Sequence, residues 1–153
     1  MKGDIRALLL HSHESPVAAL KLALENHFIW TERARSFKEA TLSLIGSNPL
    51  HLVFTDTDLP DGTWSDVLDL AAKASLPISV IVVSPVADIP LYIDVMERRA
   101  FDFITHSFTA AELAPILRCA VESVTSRRKK CMSLPEKGLN KGFRTERVLL
   151  KKA

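Results

Sequence analysis

The sequence predicts an α/β fold in which a five-stranded parallel sheet carries helices on both faces. Short apolar runs alternate with helical patterns five times before residue 126, and the connections are too short for anything except parallel crossovers. The runs are rich in bulky and β-branched residues, as expected of strands buried on both faces. The chain of 153 residues, with 47% hydrophobic and 25% charged residues, is typical of a single globular domain.

Two strand–helix units are predicted in the first third of the chain. The first pairs an apolar strand at Ile5–Leu10 with a helix that has Ser15 as N-cap and Pro16 at its first position, which is a favoured start. The second pairs a strand at about 28–31 with a helix at roughly 37–45. Apolar residues at helical spacing indicate that each helix packs one face on the sheet.

Three more units are predicted between residues 50 and 126. Ile78–Val83 is the most β-branched run in the chain, and it predicts a strand on propensity alone. Thr109 and Glu112 form a capping-box pattern at the start of the last helix. The predicted elements here are strands ending at Asp56, at 78–83 and at 101–104, and helices at 64–74, 89–98 and 110–126.

The stretch Leu50–Gly62 ends a predicted buried strand in three carboxylates, a proline and a glycine. Open α/β sheets bind their ligands beyond the carboxyl ends of the strands, so Asp56 is the first candidate for a functional carboxylate. In the flavodoxin-like, doubly wound strand order 2-1-3-4-5, which we expect here, the first and third strands flank the crevice, and His11 and Asp56 face that same crevice. The alternative interpretation is that Asp56, Asp58 and Asp61 are ordinary turn residues.

Several function classes find no support in the composition. No run approaches the roughly 20 apolar residues that cross a bilayer, and the N-terminus lacks a signal-peptide pattern, so a cytoplasmic protein is expected. Cys119 and Cys131 lack metal-ligand spacing. A Gly-rich phosphate loop and a nucleophile elbow are also missing from the sequence, which argues against an independent enzyme in this crevice.

The charge is distributed unevenly along the chain. Residues 1–126 contain 10 basic residues (Lys and Arg) and 16 acidic residues (Asp and Glu). Residues 127–153 contain 10 basic residues and 2 acidic residues. We therefore expect a domain at 1–126 and a basic, disordered tail at 127–153. The run from Arg127 to Lys130 could bind nucleic acid by releasing counterions from the phosphate backbone, while a solvated tail without a partner is the simpler alternative.

The residues that end the predicted strands resemble the receiver domain of two-component response regulators over about residues 4–125. The most specific match is Asp56–Gly62 (Asp-Thr-Asp-Leu-Pro-Asp-Gly), which is similar to the family's phospho-acceptor aspartate and the loop that follows it. Ser84 matches the family's hydroxyl switch residue, and Phe103 matches its aromatic switch position. The resemblance implies a signalling module that acts through protein–protein contact and is not an enzyme.

Two elements of the family pattern are replaced. His11 and Ser12 stand where the family has two acidic residues, and His106 stands where it has a lysine. Magnesium needs oxygen ligands in near-octahedral geometry, and imidazole is a poor substitute. Asp56 and Asp58 are the remaining candidate ligands, so Mg²⁺ binding is expected to be weak. His106 is either a partly protonated partner of Asp56 or a loop residue that contacts nothing.

Two versions of the signalling function follow from the resemblance. In the first, a histidine kinase phosphorylates Asp56, Ser84 and Phe103 move, and a surface formed by the fourth helix, fifth strand and fifth helix changes its affinity for a signalling protein or a second copy. In the second, a pseudo-receiver keeps that surface without being switched by phosphate, and its basic tail binds nucleic acid or another acidic partner. Neither version involves a membrane.

Overall fold

The computed structural model describes residues 5–46 and 49–133. These residues form a five-stranded sheet, a two-stranded hairpin and the helices around them. In chain order the elements are β1 (Arg6–Leu10), α1 (Glu14–Asn26), β2 (Trp30–Ala34), α2 (Phe37–Leu44), β3 (Leu52–Asp56), β4 (Asp58–Leu59), β5 (Gly62–Thr63), α3 (Trp64–Ala72), β6 (Ser79–Ser84), α4 (Ile89–Glu97), β7 (Asp102–Thr105) and α5 (Ala110–Ser133).

The large sheet has the order β2–β1–β3–β6–β7, and all its strands are parallel. This confirms the predicted flavodoxin-like topology. Every residue of β3 and β6 is buried, because helices cover both faces of the sheet. Leu10 pairs with Thr55, and Asp56 pairs with Val83. The carboxyl ends of β1, β3 and β6 therefore lie side by side at one edge of the sheet.

Successive residues of the central strands belong to two different hydrophobic cores. Phe54 lies in one cluster with Leu20 of α1 and Leu117 of α5. Its neighbour Val53 lies in a second cluster with Val67 of α3. Side chains alternate between the two faces of a strand, so one short apolar run supplies both layers. Full burial of a side chain of this size stabilises the fold by about 1.5–3 kcal/mol.

The connection between α1 and β2 differs from its prediction at both ends. The helix begins at Glu14 with His13 as N-cap, so the predicted N-cap at Ser15 is wrong. The strand begins at Trp30, not near residue 28, because Phe28 ends the helix in a left-handed conformation with φ 59°. The N–H of Phe28 donates to the Glu25 carbonyl at 2.9 Å. This helix-end motif usually carries glycine, so a phenylalanine gives no sequence signal for it.

Helix α4 ends in the same way. Arg99 has φ 69°, and its N–H donates to the Met96 carbonyl at 3.0 Å. The N–H of Ala100 reaches back to the Val95 carbonyl at 3.3 Å. Both helix ends therefore satisfy their last carbonyls through a residue that is strained compared with glycine.

Helix α5 extends beyond its predicted end at Ser126 and continues to Ser133. Arg127 and Arg128, which the sequence places in the basic tail, therefore belong to the folded domain. Arg127 donates to the Ser79 hydroxyl at 2.8 Å, and Arg128 is buried. Residues 134–153 of the predicted tail lie outside the described residues. Even α5, with 24 residues, lacks the apolarity of a membrane span, as do the other helices of the described ranges.

Candidate functional site

Asp56 and His11 meet at the carboxyl edge of the sheet, as the predicted topology requires. Asp56 is the last residue of β3 and is only 7% exposed. His11 directly follows β1 and is fully buried, and its Nδ1 lies 3.8 Å from Asp56 Oδ2. This separation is an ion-pair distance and is longer than a hydrogen bond. The other carboxylate oxygen, Oδ1, accepts a hydrogen bond from the Thr57 N–H at 3.0 Å.

The backbone on both sides fixes the position of the His11 imidazole. The His11 N–H donates to the Ala34 carbonyl of β2 at 3.1 Å, and the Arg33 guanidinium donates to the His11 carbonyl at 3.2 Å. Both ring nitrogens are buried, and neither forms a hydrogen bond with any residue that the structure describes. Buried polar atoms are rarely left in this state, so the approach of Nδ1 to Asp56 Oδ2 is the main polar contact of this ring.

The pKa of Asp56 reflects two opposing effects. Burial raises this pKa, but the interaction with His11 and the Thr57 N–H lower it, and the net result lies below the ordinary value of 3.8. Asp56 is therefore ionised at neutral pH. A carboxylate with a lowered folded-state pKa adds stability above pH 3.8, and this contribution disappears as the pH falls through the lower folded-state value.

Replacing His11 with leucine is expected to raise the pKa of Asp56 relative to the wild type. The substitution removes the imidazole, which favours the carboxylate, but leaves the burial that opposes it, while the Thr57 N–H and His106 still lower this pKa. A carbon-13 NMR titration of the Asp56 carboxyl measures this shift, and Ser12→Ala on the same loop is the matched control with no expected change. A His11→Leu protein whose Asp56 titrates at or below the wild-type value would show that His11 does not control this carboxylate.

Ser84 is the last residue of β6, and His106 directly follows β7 at the same edge. The Ser84 hydroxyl is buried and donates to the Val86 carbonyl at 2.7 Å, so it is directed into the loop before α4. The His106 N–H donates to the Ser84 carbonyl at 2.9 Å. Burial lowers the pKa of His106 below 6.5 although Asp56 raises it. The His106 imidazole therefore interacts electrostatically with the Asp56 carboxylate, but it is not a permanent cation.

Phe103 lies on β7 and contacts α4. Its ring meets Tyr92 edge-to-face, with centroids 5.6 Å apart and an interplanar angle of 84°. It also packs against the cluster that contains Val82 and Val95. The aromatic side chain at the predicted switch position is therefore part of the packing between β7 and α4.

The two later aspartates of the loop have different surroundings. Asp58 is exposed in the short β4–β5 hairpin. Asp61 accepts hydrogen bonds from the N–H groups of Phe37 at 2.7 Å and Lys38 at 3.0 Å. These bonds lower the pKa of Asp61 and cap the start of α2. The interpretation of Asp61 as a structural turn residue is therefore supported, and sequence reasoning missed the cap because its partners lie 23 and 24 positions away.

The residues at this edge do not fit a magnesium ion. Mg²⁺ prefers several oxygen ligands around one point, whereas the imidazole of His11 occupies the position beside Asp56. The described ranges also contain no group of three or more His, Cys, Asp or Glu side chains placed to share a metal ion. The proposed pair Asp56 and Asp58 therefore offers too few ligands for this ion.

Neither a protein-family model nor a curated protein matches the sequence. A signal receiver domain from Vibrio parahaemolyticus matches with a TM-score of 0.71 and 22% identity, over 82% of this chain and 94% of that one. A response regulator receiver domain from Clostridium thermocellum matches with a TM-score of 0.69 and 22% identity, over 84% of this chain and 98% of that one. The HemR receiver domain from Leptospira biflexa matches with a TM-score of 0.64 and 26% identity, over 76% of this chain and 94% of that one. The chain therefore has the fold of response-regulator receiver domains.

Proposed function

We propose that this chain is a receiver-type signalling domain of a two-component phosphorelay that acts through protein–protein contact, with Asp56 at the phospho-acceptor position and a degraded metal site. The observation that carries the proposal is the placement of Asp56. It is ionised, buried and at the end of the central strand. Ser84 ends the next strand, and His106 directly follows the strand beyond that one. A carboxylate in this setting can act as a nucleophile toward a phosphoryl group.

The surroundings of Asp56 limit how fast that reaction can be. Negative charge that develops on the phosphoryl oxygens must be neutralised, and this is normally done by Mg²⁺ and a fixed cation. Here His11 fills the place beside the carboxylate, and His106 has a lowered pKa and is largely neutral at pH 7. Slow phosphorylation, or regulation by another means, is the consequence.

The face of α4 is the proposed contact surface. Four large apolar side chains of α4 and the loop before it are exposed, namely Val86, Ile89, Tyr92 and Ile93. Such a cluster is typical of interaction sites. The Ser84 hydroxyl bonds to Val86 and Phe103 touches Tyr92, so both proposed switch residues contact this surface. The proposed partner packs on α4, β7 and α5. It is a histidine kinase, another signalling protein or a second copy of this chain.

Treatment with acetyl phosphate and Mg²⁺, followed by intact mass measurement, tests this function. We expect slow addition of one phosphoryl group that is lost in Asp56→Ala. Asp61→Ala is the matched control, because Asp61 caps α2 outside the site, and it should label like the wild type. Rapid stoichiometric labelling would overturn the degraded metal site, and labelling that persists in Asp56→Ala would overturn the acceptor assignment.

The alternative proposal is a phosphorylation-independent pseudo-receiver whose tail binds nucleic acid or another acidic partner. Arg127 and Arg128 donate to groups of the domain, so this proposal concerns the basic residues that follow α5. Residues 134–153 hold six basic residues, Lys137, Lys141, Arg144, Arg147, Lys151 and Lys152, and two acidic residues, Glu136 and Glu146. A salt titration of nucleic-acid binding with and without residues 134–153 tests this proposal, since electrostatic binding weakens steeply with salt.

A further inference from the structure

A groove with a volume of about 960 Å³ lies at the amino-terminal edge of the sheet, opposite the edge that carries Asp56. Its walls are the end of α3 with the following loop, the start of β6, the connection from α4 to β7, and one face of α5. Small-molecule sites commonly measure roughly 300–1,000 Å³. The groove is therefore large enough for a ligand of nucleotide size.

Three arginines line this groove, and their charges are only partly compensated. Arg98 has a carboxylate partner, with its Nη2 3.8 Å from Asp69 Oδ1, and it also stacks over Trp64. Arg127 donates to an uncharged hydroxyl of Ser79. Arg99 forms no ion pair with a carboxylate among the residues that the structure describes. Two guanidinium groups therefore retain donors for an anion, although Glu97 and Asp69 also belong to the lining.

A fourth guanidinium adds to the positive charge behind the wall of the groove. Arg128 is only 8% exposed and donates to the carbonyls of Pro77 and Leu50, which carry no net charge. Its pKa is lowered by burial and by the neighbouring charge of Arg127. Among the residues at 5–46 and 49–133 this buried cation is hydrogen-bonded by carbonyls and not by a carboxylate, so its charge is not compensated there.

Arg99 occupies its position at a conformational cost. Its φ of 69° lies in the left-handed region, where glycine is the favoured residue at a helix end. Strained backbone positions cluster at functional sites. Unlike Phe28, which takes the same conformation elsewhere, Arg99 also lines the groove.

Apolar side chains form another part of the lining. Four half-buried side chains from α3, the loop between α3 and β6, and the residue before β7 contribute to the wall, namely Leu68, Leu76, Ile78 and Phe101. An arginine guanidinium can donate two parallel hydrogen bonds to the oxygens of one phosphate group. The apolar side chains of the wall can pack against a flat ring. We propose that this groove binds a small phosphate-bearing ligand with an apolar ring, of nucleotide size. The site is independent of the proposed phosphorylation at Asp56.

Titration of the full chain with the fluorescent nucleotide mant-ATP, followed by fluorescence polarisation, tests the proposal. We expect saturable binding that unlabelled ATP displaces and adenosine does not. Arg127→Gln should weaken binding by about tenfold or more, because a charge-assisted hydrogen bond is lost. Arg118→Gln is its control, since Arg118 is exposed on α5 and is not part of the lining.

Arg99→Gly separates ligand binding from folding. Glycine relieves the left-handed strain, so the urea midpoint should stay the same or rise while mant-ATP binding weakens. Phe28→Gly is the matched control, because Phe28 takes the same conformation at the end of α1 and should leave binding unchanged. Asp56→Ala should also bind normally. Absence of saturable binding below about millimolar ligand, displacement by adenosine, or equal weakening in Phe28→Gly or Arg118→Gln would overturn the proposal.

Discussion

Replacement of Arg128 by alanine is expected to lower the free energy of unfolding by about 3 kcal/mol. The buried guanidinium donates from Nε to the Pro77 carbonyl at 3.0 Å and from Nη2 to the Leu50 carbonyl. These carbonyls precede β6 and β3, so one side chain joins the end of α5 to the starts of the two most deeply buried strands. Its removal leaves buried acceptors without donors, and hydrogen bonds with a charged group are worth roughly 1.5–3 kcal/mol each.

Urea unfolding followed by circular dichroism measures this effect. Lys129→Ala is the matched control, because Lys129 is the exposed neighbour and surface substitutions usually stay within about 0.5 kcal/mol. Arg128→Met keeps most of the aliphatic stem, so it reports the loss of the hydrogen bonds with little loss of packing. An Arg128→Ala protein as stable as Lys129→Ala would show that α5 needs no anchor at this end.

The sheet was predictable from the sequence because its determinants are local. Runs such as Ile78–Val83 have high strand propensity, and short connections permit only parallel crossovers. The strand order then follows from the doubly wound pattern, and with it the meeting of His11 and Asp56 at one edge. The structure confirms that topology and that meeting.

The features that the sequence did not reveal depend on contacts between distant segments or on unusual residues. Arg128 looks like part of a basic tail until its partners Leu50 and Pro77, which lie 78 and 51 positions away, are known. Phe28 and Arg99 end helices at positions where glycine would have given a signal.

The protonation of His106 was also beyond the sequence. A histidine near a carboxylate could be charged or neutral, and the outcome depends on how much water the fold removes from the ring. Here burial outweighs the attraction of Asp56 and lowers the pKa. The residue that we propose to stand in place of the receiver lysine is therefore a largely neutral group at pH 7.

Restoring the acidic pair and the lysine, with His11→Asp, Ser12→Asp and His106→Lys together, is expected to accelerate phosphorylation of Asp56 by about 10⁴-fold. Each missing electrostatic contact to the transferred group is typically worth ~3 kcal/mol of barrier, or about a hundredfold in rate, and both the divalent ion and the fixed cation would be regained. The rate of phosphoryl mass gain with acetyl phosphate and Mg²⁺ measures the change. The triple variant that also carries Asp56→Ala must not label.

A second measurement on the same variant separates ion binding from chemistry. Carboxylates placed beside Asp56 repel one another, so without Mg²⁺ the triple variant should melt at a lower temperature than the wild type. Added Mg²⁺ should raise its melting temperature, because a ligand that binds only the folded state stabilises it. The wild type should show no such gain, and His13→Asp, at an exposed position of the same loop, should behave like the wild type. If Mg²⁺ stabilises the triple variant but labelling stays as slow as in the wild type, His11, Ser12 and His106 do not limit phosphorylation. The cause must then lie elsewhere at this edge, where the Ser84 hydroxyl is directed toward Val86.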